Sequence, residues 1–190
     1  MTRCAWAETG HALMRTYHDT EWGVPLHDER ALFEFLCLEG MQAGLSWRTV
    51  LDKRARYREV FFHFDVERVA AMTDAELETR MTDPGIIRNR RKIWAMRDNA
   101  RAVLDVIKAD GSLDGYLWSF VMGKPVINHW EKPGDVPATT ALSDRMSRDM
   151  KKRGFKFVGS TVCYAHMQAT GMVNDHLVGC FRHDACVVPG

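Results

Sequence analysis

The chain lacks any run of the ~18 apolar residues that a membrane-spanning helix needs. Its first residues, Met1-Thr2-Arg3-Cys4-Ala5-Trp6, carry no apolar stretch of signal-peptide type. No membrane partner is therefore expected, and the cytoplasm is the expected location. Net charge is nearly absent: 26 Lys and Arg face 25 Asp and Glu, leaving +1. Bulk charge thus argues neither for nor against a nucleic-acid partner. Cysteine is sparse and odd in number. Five widely spread thiols, Cys4, Cys37, Cys163, Cys180 and Cys186, argue against a disulfide framework and leave buried thiols or metal ligands. There is no Gly-x-Ser-x-Gly elbow, no P-loop and no Rossmann glycine pattern, which removes the enzyme classes built on them. No lysine stands in an obviously desolvated run beside a glycine hairpin, as a Schiff-base mechanism would want. Internal repeats and low-complexity segments are also missing.

What is present is 190 residues with 46% hydrophobic content, enough for one domain over 1–190 or two lobes sharing a core. The periodicity is helical nearly throughout, and strand signals are weak, so the predicted class is all-α. Ala31, Leu32, Phe35, Leu36 and Leu38 set a helix over 28–39. Ser46 caps a helix through Val60, and Asp65 starts a short one. Thr73 with Glu76 forms a capping box for a helix ending near Asp83. A long helix follows from about Arg88 to Lys108, then a short apolar one over Leu117–Met122. Residues 123–138, with three prolines and two glycines, read as loop. Ser143–Lys152 and Ser160–Gly171 complete the set, with Gly154 stopping the former.

Between the helices at 73 and 88 lies a short hairpin, Asp83-Pro84-Gly85-Ile86-Ile87-Arg88. A turn containing Gly85 and Ile86 before a helix start exposes backbone N–H groups that suit a DNA phosphate. Residues 86–101 hold six cations, Arg88 among them, against one acid, and 145–156 again six against one, +5 each. Such stretches either attract a phosphate backbone or form solvated helix faces.

His176 and Cys180 are four apart, so in a helical turn they face one point. With Cys4 and His18 they make a Cys2His2 set, the composition of a closed structural zinc site with no place for a reactive water. His183 and Cys186 form a rival pair that spacing alone does not eliminate. Glu39 closes an apolar helix beside Gly40, a setting that partly desolvates a carboxylate. Trp6, Tyr17, Trp22 and Trp47 offer flat faces that either sandwich an aromatic ligand or pack as core. Such faces bind a cationic ring through their quadrupoles, with Glu39 as counter-charge.

The chain resembles the 3-methyladenine DNA glycosylase I family over nearly its whole length. The resemblance rests on Arg3-Cys4-x-Trp6, Tyr17-His18-Asp19-x-Glu21-Trp22-Gly23-Val24-Pro25, Leu38-Glu39-Gly40 and Gln42-Ala43-Gly44-Leu45-Ser46-Trp47. It continues through Gly85-Ile86-Ile87-Arg88-x-Arg90-x-Lys92-Ile93, Lys152–Gly159 and Val173-Asn174-Asp175-His176. It implies a helix-hairpin-helix glycosylase fold, with the hairpin unit at about 73–108. It further implies that segments 1–25 and 160–190 are joined by one structural Zn2+ on Cys4, His18, His176 and Cys180. The resemblance also implies a base pocket of Trp6, Tyr17, Glu39 and Trp47, and a loop, Gln42 to Leu45 with Gly44, that enters the gap left by a flipped nucleotide. The implied substrate is double-stranded alkylated DNA and the product free 3-methyladenine, released by a monomer without strand cleavage. The family lacks the usual catalytic aspartate after the hairpin, which a base that is already cationic tolerates. Met14 and Ala165-His166 depart from the family pattern near the pocket. A non-enzymatic zinc-stabilised DNA-binding module would share the hairpin but not need Glu39 and its tryptophans. A zinc hydrolase would need an open coordination position.

Overall fold

The computed structural model describes residues 1–186; Val187 to Gly190, the end of the expected 160–190 segment, lie outside the described residues. Ten helices dominate: α1 (Ala12–Thr20), α2 (Glu29–Gln42), α3 (Trp47–Val60), α4 (Val66–Ala70), α5 (Asp74–Arg80), α6 (Arg90–Asp110), α7 (Leu113–Ser119), α8 (Ala141–Lys152), α9 (Ser160–Ala169) and α10 (Arg182–Ala185). The helical class expected from the periodicity is thus what the chain adopts. One small exception is a parallel pair of two-residue strands, β1 (Val126–Ile127) and β2 (Val173–Asn174), with Val126 opposite Val173. Strands of two residues show no period-2 alternation, so the 123–138 segment reads as loop in sequence.

Local rules account for most helix ends. Asn89 accepts a hydrogen bond from the Lys92 amide at 3.2 Å and so starts α6 at Arg90, two residues later than expected. Ser112 likewise starts α7 at Leu113 rather than Leu117. The Thr73–Glu76 capping box is present in both directions, at 3.2 and 2.7 Å. Its helix stops at Arg80 and a turn carries the chain to the hairpin. Helix α1, absent from the sequence reading, is capped by His11, a residue outside the usual capping set.

Helix α2 is the axis of the core. Every residue from Leu32 to Met41 is buried, and α3, α6, α7 and α9 pack around it. A helix buried on all faces has no room for unpaired charge. Glu34 complies: Arg54 reaches it in a short contact, and Arg58 at 2.8 Å. Glu39, five residues on and 4% exposed, has no such partner among the described residues.

Two glycines bring the chain's early segment onto α9. Gly171 sits at φ +69, and a Cβ there would lie 2.4 Å from the backbone of Val24 and Pro25. Gly23, at φ +80, leaves just enough space for the His176 ring, 2.9 Å from where its Cβ would be. Main-chain bonds from Gly23 to Gln168 and from Leu26 to Thr170 hold this crossing.

Candidate functional site

Helix α1 serves two neighbouring sites from adjacent residues. Met14, Tyr17 and His18 share its buried face. His18 enters a cluster with Cys4, His176 and Cys180, in which all four are buried and the ligand atoms lie within 4.8 Å of one another. Cys180 Sγ is 3.4 Å from His18 Nε2 and 3.6 Å from His176 Nδ1, and Cys4 Sγ is 3.7 Å from His176 Nδ1. A tetrahedral ion with ~2.3 Å bonds to sulfur and ~2.0–2.1 Å bonds to nitrogen sets its S and N ligands about 3.6 Å apart. The donor set therefore fits such an ion. The outer partners fix the tautomers: His18 donates from Nδ1 to Asp19 at 2.8 Å, and His176 from Nε2 to the Trp22 carbonyl at 3.0 Å. Both rings thus turn a lone pair inward. Asp19 is itself held by Arg3 through bonds of 2.9–3.0 Å. Burial pushes the Cys4 thiol up to about 12 and the His176 imidazole down to about 4; a bound cation would reverse the thiol's preference.

The expected helical turn between His176 and Cys180 is not what unites them. They lie on an irregular stretch between β2 and α10, and Phe181 donates its amide to the Thr2 carbonyl at 3.0 Å. The rival pair is occupied elsewhere. His183 is bonded to the Asn128 carbonyl at 2.9 Å and to Asp184 at 2.8 Å, and Cys186 lies against the Arg182 guanidinium at 3.4 Å.

Beside the cluster opens a cavity of about 480 Å³ whose wall includes Trp6, Tyr17, Trp22, Glu39, Gln42 and Trp47. The residues read as pocket candidates are thus brought together. Trp6 sits in the single turn after Cys4, packed edge-on to Trp22 at 5.1 Å, and Tyr17 lies 5.3 Å from Trp47. Burial pushes the Glu39 carboxyl up to about 8, and its oxygens accept no hydrogen bond among the described residues. Burial first, then Glu39 and Glu21, keep the Tyr17 hydroxyl well above its ordinary range. Trp47 Nε1 is buried with no acceptor. An acceptor, the Glu39 carboxyl, is therefore left open at this wall.

Several wall residues escaped the sequence reading. Asp175 is one: it accepts from Asn128, Trp130, Tyr164 and Gln168 at 2.6–2.8 Å. Its position next to His176 in the Asn174-Asp175-His176 motif was the available signal. Met14 and Ala165 both reach the cavity wall, while His166 turns into the core, fully buried and pushed down to about 4 by burial.

The remaining candidates lie along one side. Gln42 donates to the Leu45 carbonyl at 2.9 Å across a turn in which Gly44 takes φ +78 and Leu45 is 40% exposed. At the hairpin the Gly85 amide donates to Asp83 at 2.7 Å. Ile86 is not on the surface but in the core, 2% exposed. Arg88 is exposed, and the amides of Arg88, Arg90 and Arg91 make no hydrogen bond among the described residues. Much of the two basic stretches is already engaged. Arg90 pairs with Glu78, Arg97 with Asp74, and Arg153 with Asp110 and Asp149; Arg101 and Arg145 donate to carbonyls.

The expectation that no lysine is desolvated beside the hairpin fails at Lys92. It is 7% exposed, donates to the Met41 and Ala43 carbonyls at 2.7 and 2.5 Å, and burial lowers its ammonium pKa. It lies on the buried stripe of α6 with Met96, Asn99 and Val103. Two of its three N–H donors go to the end of α2, and it does not line the cavity.

A cavity walled by aromatic faces and one carboxylate has the chemistry to take a flat, electron-poor ring. The family model for methyladenine glycosylase matches residues 6–183. The chain is 48% identical over 190 residues to DNA-3-methyladenine glycosylase 1 of Escherichia coli (strain K12), covering 100% of this chain and 98% of that one. It is 46% identical over 179 residues to DNA-3-methyladenine glycosylase of Haemophilus influenzae (94% and 96% covered). A crystal structure of 3-methyladenine DNA glycosylase I superposes with a TM-score of 0.93 at 50% identity (96% and 100%). That of the Staphylococcus aureus enzyme, described for its recognition of 3-methyladenine, does so at 0.93 and 38% (96% and 97%). The chain belongs to the methyladenine glycosylase family.

Proposed function

We propose that this protein is a DNA-3-methyladenine glycosylase, a hydrolase of N-glycosyl bonds that excises 3-methyladenine from alkylated duplex DNA during base excision repair. The observation that carries the reading is Glu39, a buried carboxylate without a donor on an aromatic wall. An adenine methylated at N3 while bonded to the sugar is cationic, and it offers the amino donor and positive charge that this wall leaves unmatched. Tyr17, Trp47 and Trp6 enclose the everted base, and Gln42, Gly44 and Leu45 fill the gap it leaves. Gly85, Ile86 and Arg88 define the hairpin of a helix-hairpin-helix unit over about 73–108, with Arg88 and the open amides facing phosphate and Ile86 anchoring the turn from beneath.

The chemistry asks little of a general base. The C1′–N9 bond breaks with its electron pair moving to N9, which discharges the ring, and a water oxygen bonds to C1′ and loses a proton. Glu39 holds the charged ring in register until that bond breaks. With Lys92 occupied by carbonyls, no amine attacks C1′, so the DNA strand stays intact. Cys4, His18, His176 and Cys180 hold one zinc, which supplies rigidity where the two segments meet. Its four protein ligands leave no position for water. One glycosylase domain over 1–190, monomeric and working in the cytoplasm, completes the reading.

The test is incubation with methylated duplex DNA and identification of what is released. Free 3-methyladenine with uncleaved strands is the expected result; DNA binding with no base release would favour a binding module instead.

A further inference from the structure

The two basic stretches, far apart in sequence, meet at one place. A groove of about 330 Å³ runs between α6 and the linker before α9, lined by Arg91, Ala95, Asp98, Lys156 and Phe157. We propose that this groove seats backbone phosphates of the DNA beside the everted nucleotide, with Arg91 on one bank and Lys156 on the other. The proposal rests on the glycosylase reading above and extends the hairpin's phosphate contact across to Lys156, outside the hairpin unit.

The groove is built rather than incidental. Asn99, 3% exposed, accepts from the Lys156 amide at 2.7 Å and donates to its carbonyl at 3.1 Å. Both polar ends of one buried side chain thus fix the main chain at Lys156 against α6. The next residue, Phe157, takes φ +55, a left-handed conformation that costs a non-glycine residue about 1 kcal/mol. A Cβ on Gly40 would lie 3.3 Å from Phe157 Cβ, so the strained residue packs directly on the helix end that carries Glu39. From the other side Lys92 ties the first turn of α6 to Met41 and Ala43. Groove, gap-filling loop and cavity therefore share the end of α2.

Its chemistry suits a sugar–phosphate strand. Arg91 and Lys156 are exposed and neither has an ion-pair partner among the described residues, whereas Arg90, Arg97 and Arg153 are all engaged. Ala95 and the Phe157 ring give an apolar floor that a deoxyribose can cover. Asp98 is the one acid, and it weakens the field at the α6 bank.

The experiment is an anisotropy titration of undamaged duplex DNA between ~50 and ~200 mM salt with wild type, Arg91→Ala, Lys156→Ala, the double variant and Asp98→Asn. Each cation removed is expected to flatten the slope of log K against log salt by about one, and the double variant by about two. Asp98→Asn is expected to raise affinity. Free 3-methyladenine should bind all four variants as it binds wild type, which a disturbed fold would not allow. An unchanged slope in the double variant, with base binding intact, overturns the groove assignment and leaves the glycosylase reading standing. Failure of wild type to release base from methylated DNA would sink that reading instead.

Discussion

Two buried polar clusters stand side by side, joined through Cys4 and Trp6 at one end and Asp175 and His176 at the other, and they are finished to different degrees. Around Cys4, His18, His176 and Cys180 the outer ring nitrogens are bonded, one to Asp19 and one to the Trp22 carbonyl, and Asp19 is clamped by Arg3. In the cavity next to it, Glu39 accepts no hydrogen bond and the buried Trp47 Nε1 finds no acceptor among the described residues. The contrast repeats within α2, where Glu34 is held by two arginines and Glu39 by none. A buried polar group left open costs stability that a fold ordinarily avoids. On the glycosylase reading, the carboxylate of this helix that no arginine reaches among the described residues is the one that meets the base. On the proposed reading a bound ion completes the Cys4–His18–His176–Cys180 cluster, and a base completes the cavity.

The sharpest way to break the comparison is at the metal cluster. Cys180→Ser is expected to lose bound zinc and several kcal/mol of stability, because a closed site's binding energy is folding energy. For a chain of this size ~4 kcal/mol corresponds to a fall in Tm of roughly 8–16 °C. Metal analysis with thermal denaturation checks both. Cys186→Ser should leave zinc content alone, and if it instead removes the metal, the rival pair holds it.

Glu39→Gln is the next largest effect, and it should move function and stability in opposite directions. Losing a charge-assisted bond to the cationic base costs about 2–3 kcal/mol, roughly a 30- to 150-fold loss of affinity. The folded carboxyl titrates near 8 against an ordinary value of 4.5. Between those values the unfolded chain has already lost a proton that the native protein keeps, so stability falls as pH rises, by about 1.4 kcal/mol per unit. Removing the titration should flatten that slope. Tm measured from pH 5 to 9 for wild type and variant decides it; parallel curves would mean that Glu39 is solvated in the free protein. Affinity of wild type for duplex DNA carrying the still-bonded, cationic base should rise over the same interval, as Glu39 ionises.

How much of this was legible depends on the range of the interactions. Ends set by one side chain, such as the Thr73–Glu76 box and Ser46 before α3, are written within four residues. Helix α1 was not, because its cap is His11, and neither was the start of α7, where Ser112 outranked the later apolar run. The candidate metal ligands were visible as residue types, but their convergence depends on Gly23, Gly171 and the Phe181-to-Thr2 bond, contacts that span most of the chain. Lys92 was hidden by its basic neighbours, though its spacing from Met96 and Asn99 already placed it on the apolar stripe. Asp175 was invisible as a junction, since its four donors come from two separate segments, the loop at 128–130 and α9.

The smallest effect sharpens the comparison most finely. Trp47→Phe keeps an aromatic face against Tyr17 but deletes an indole N–H that is buried without an acceptor among the described residues. In the free protein that removes a desolvated donor worth about 1–3 kcal/mol and opens a small void that costs a similar amount. Tm should therefore shift by only a few degrees in either direction. The base complex should behave differently. If a ring nitrogen of the base accepts from Nε1, the variant loses a hydrogen bond of about 1 kcal/mol, roughly fivefold in affinity, with no change in zinc content. Calorimetric titration with 3-methyladenine measures it. An affinity equal to wild type would mean that the open donor at Trp47 is a packing imperfection, and that Glu39 alone is the polar group this cavity holds in reserve.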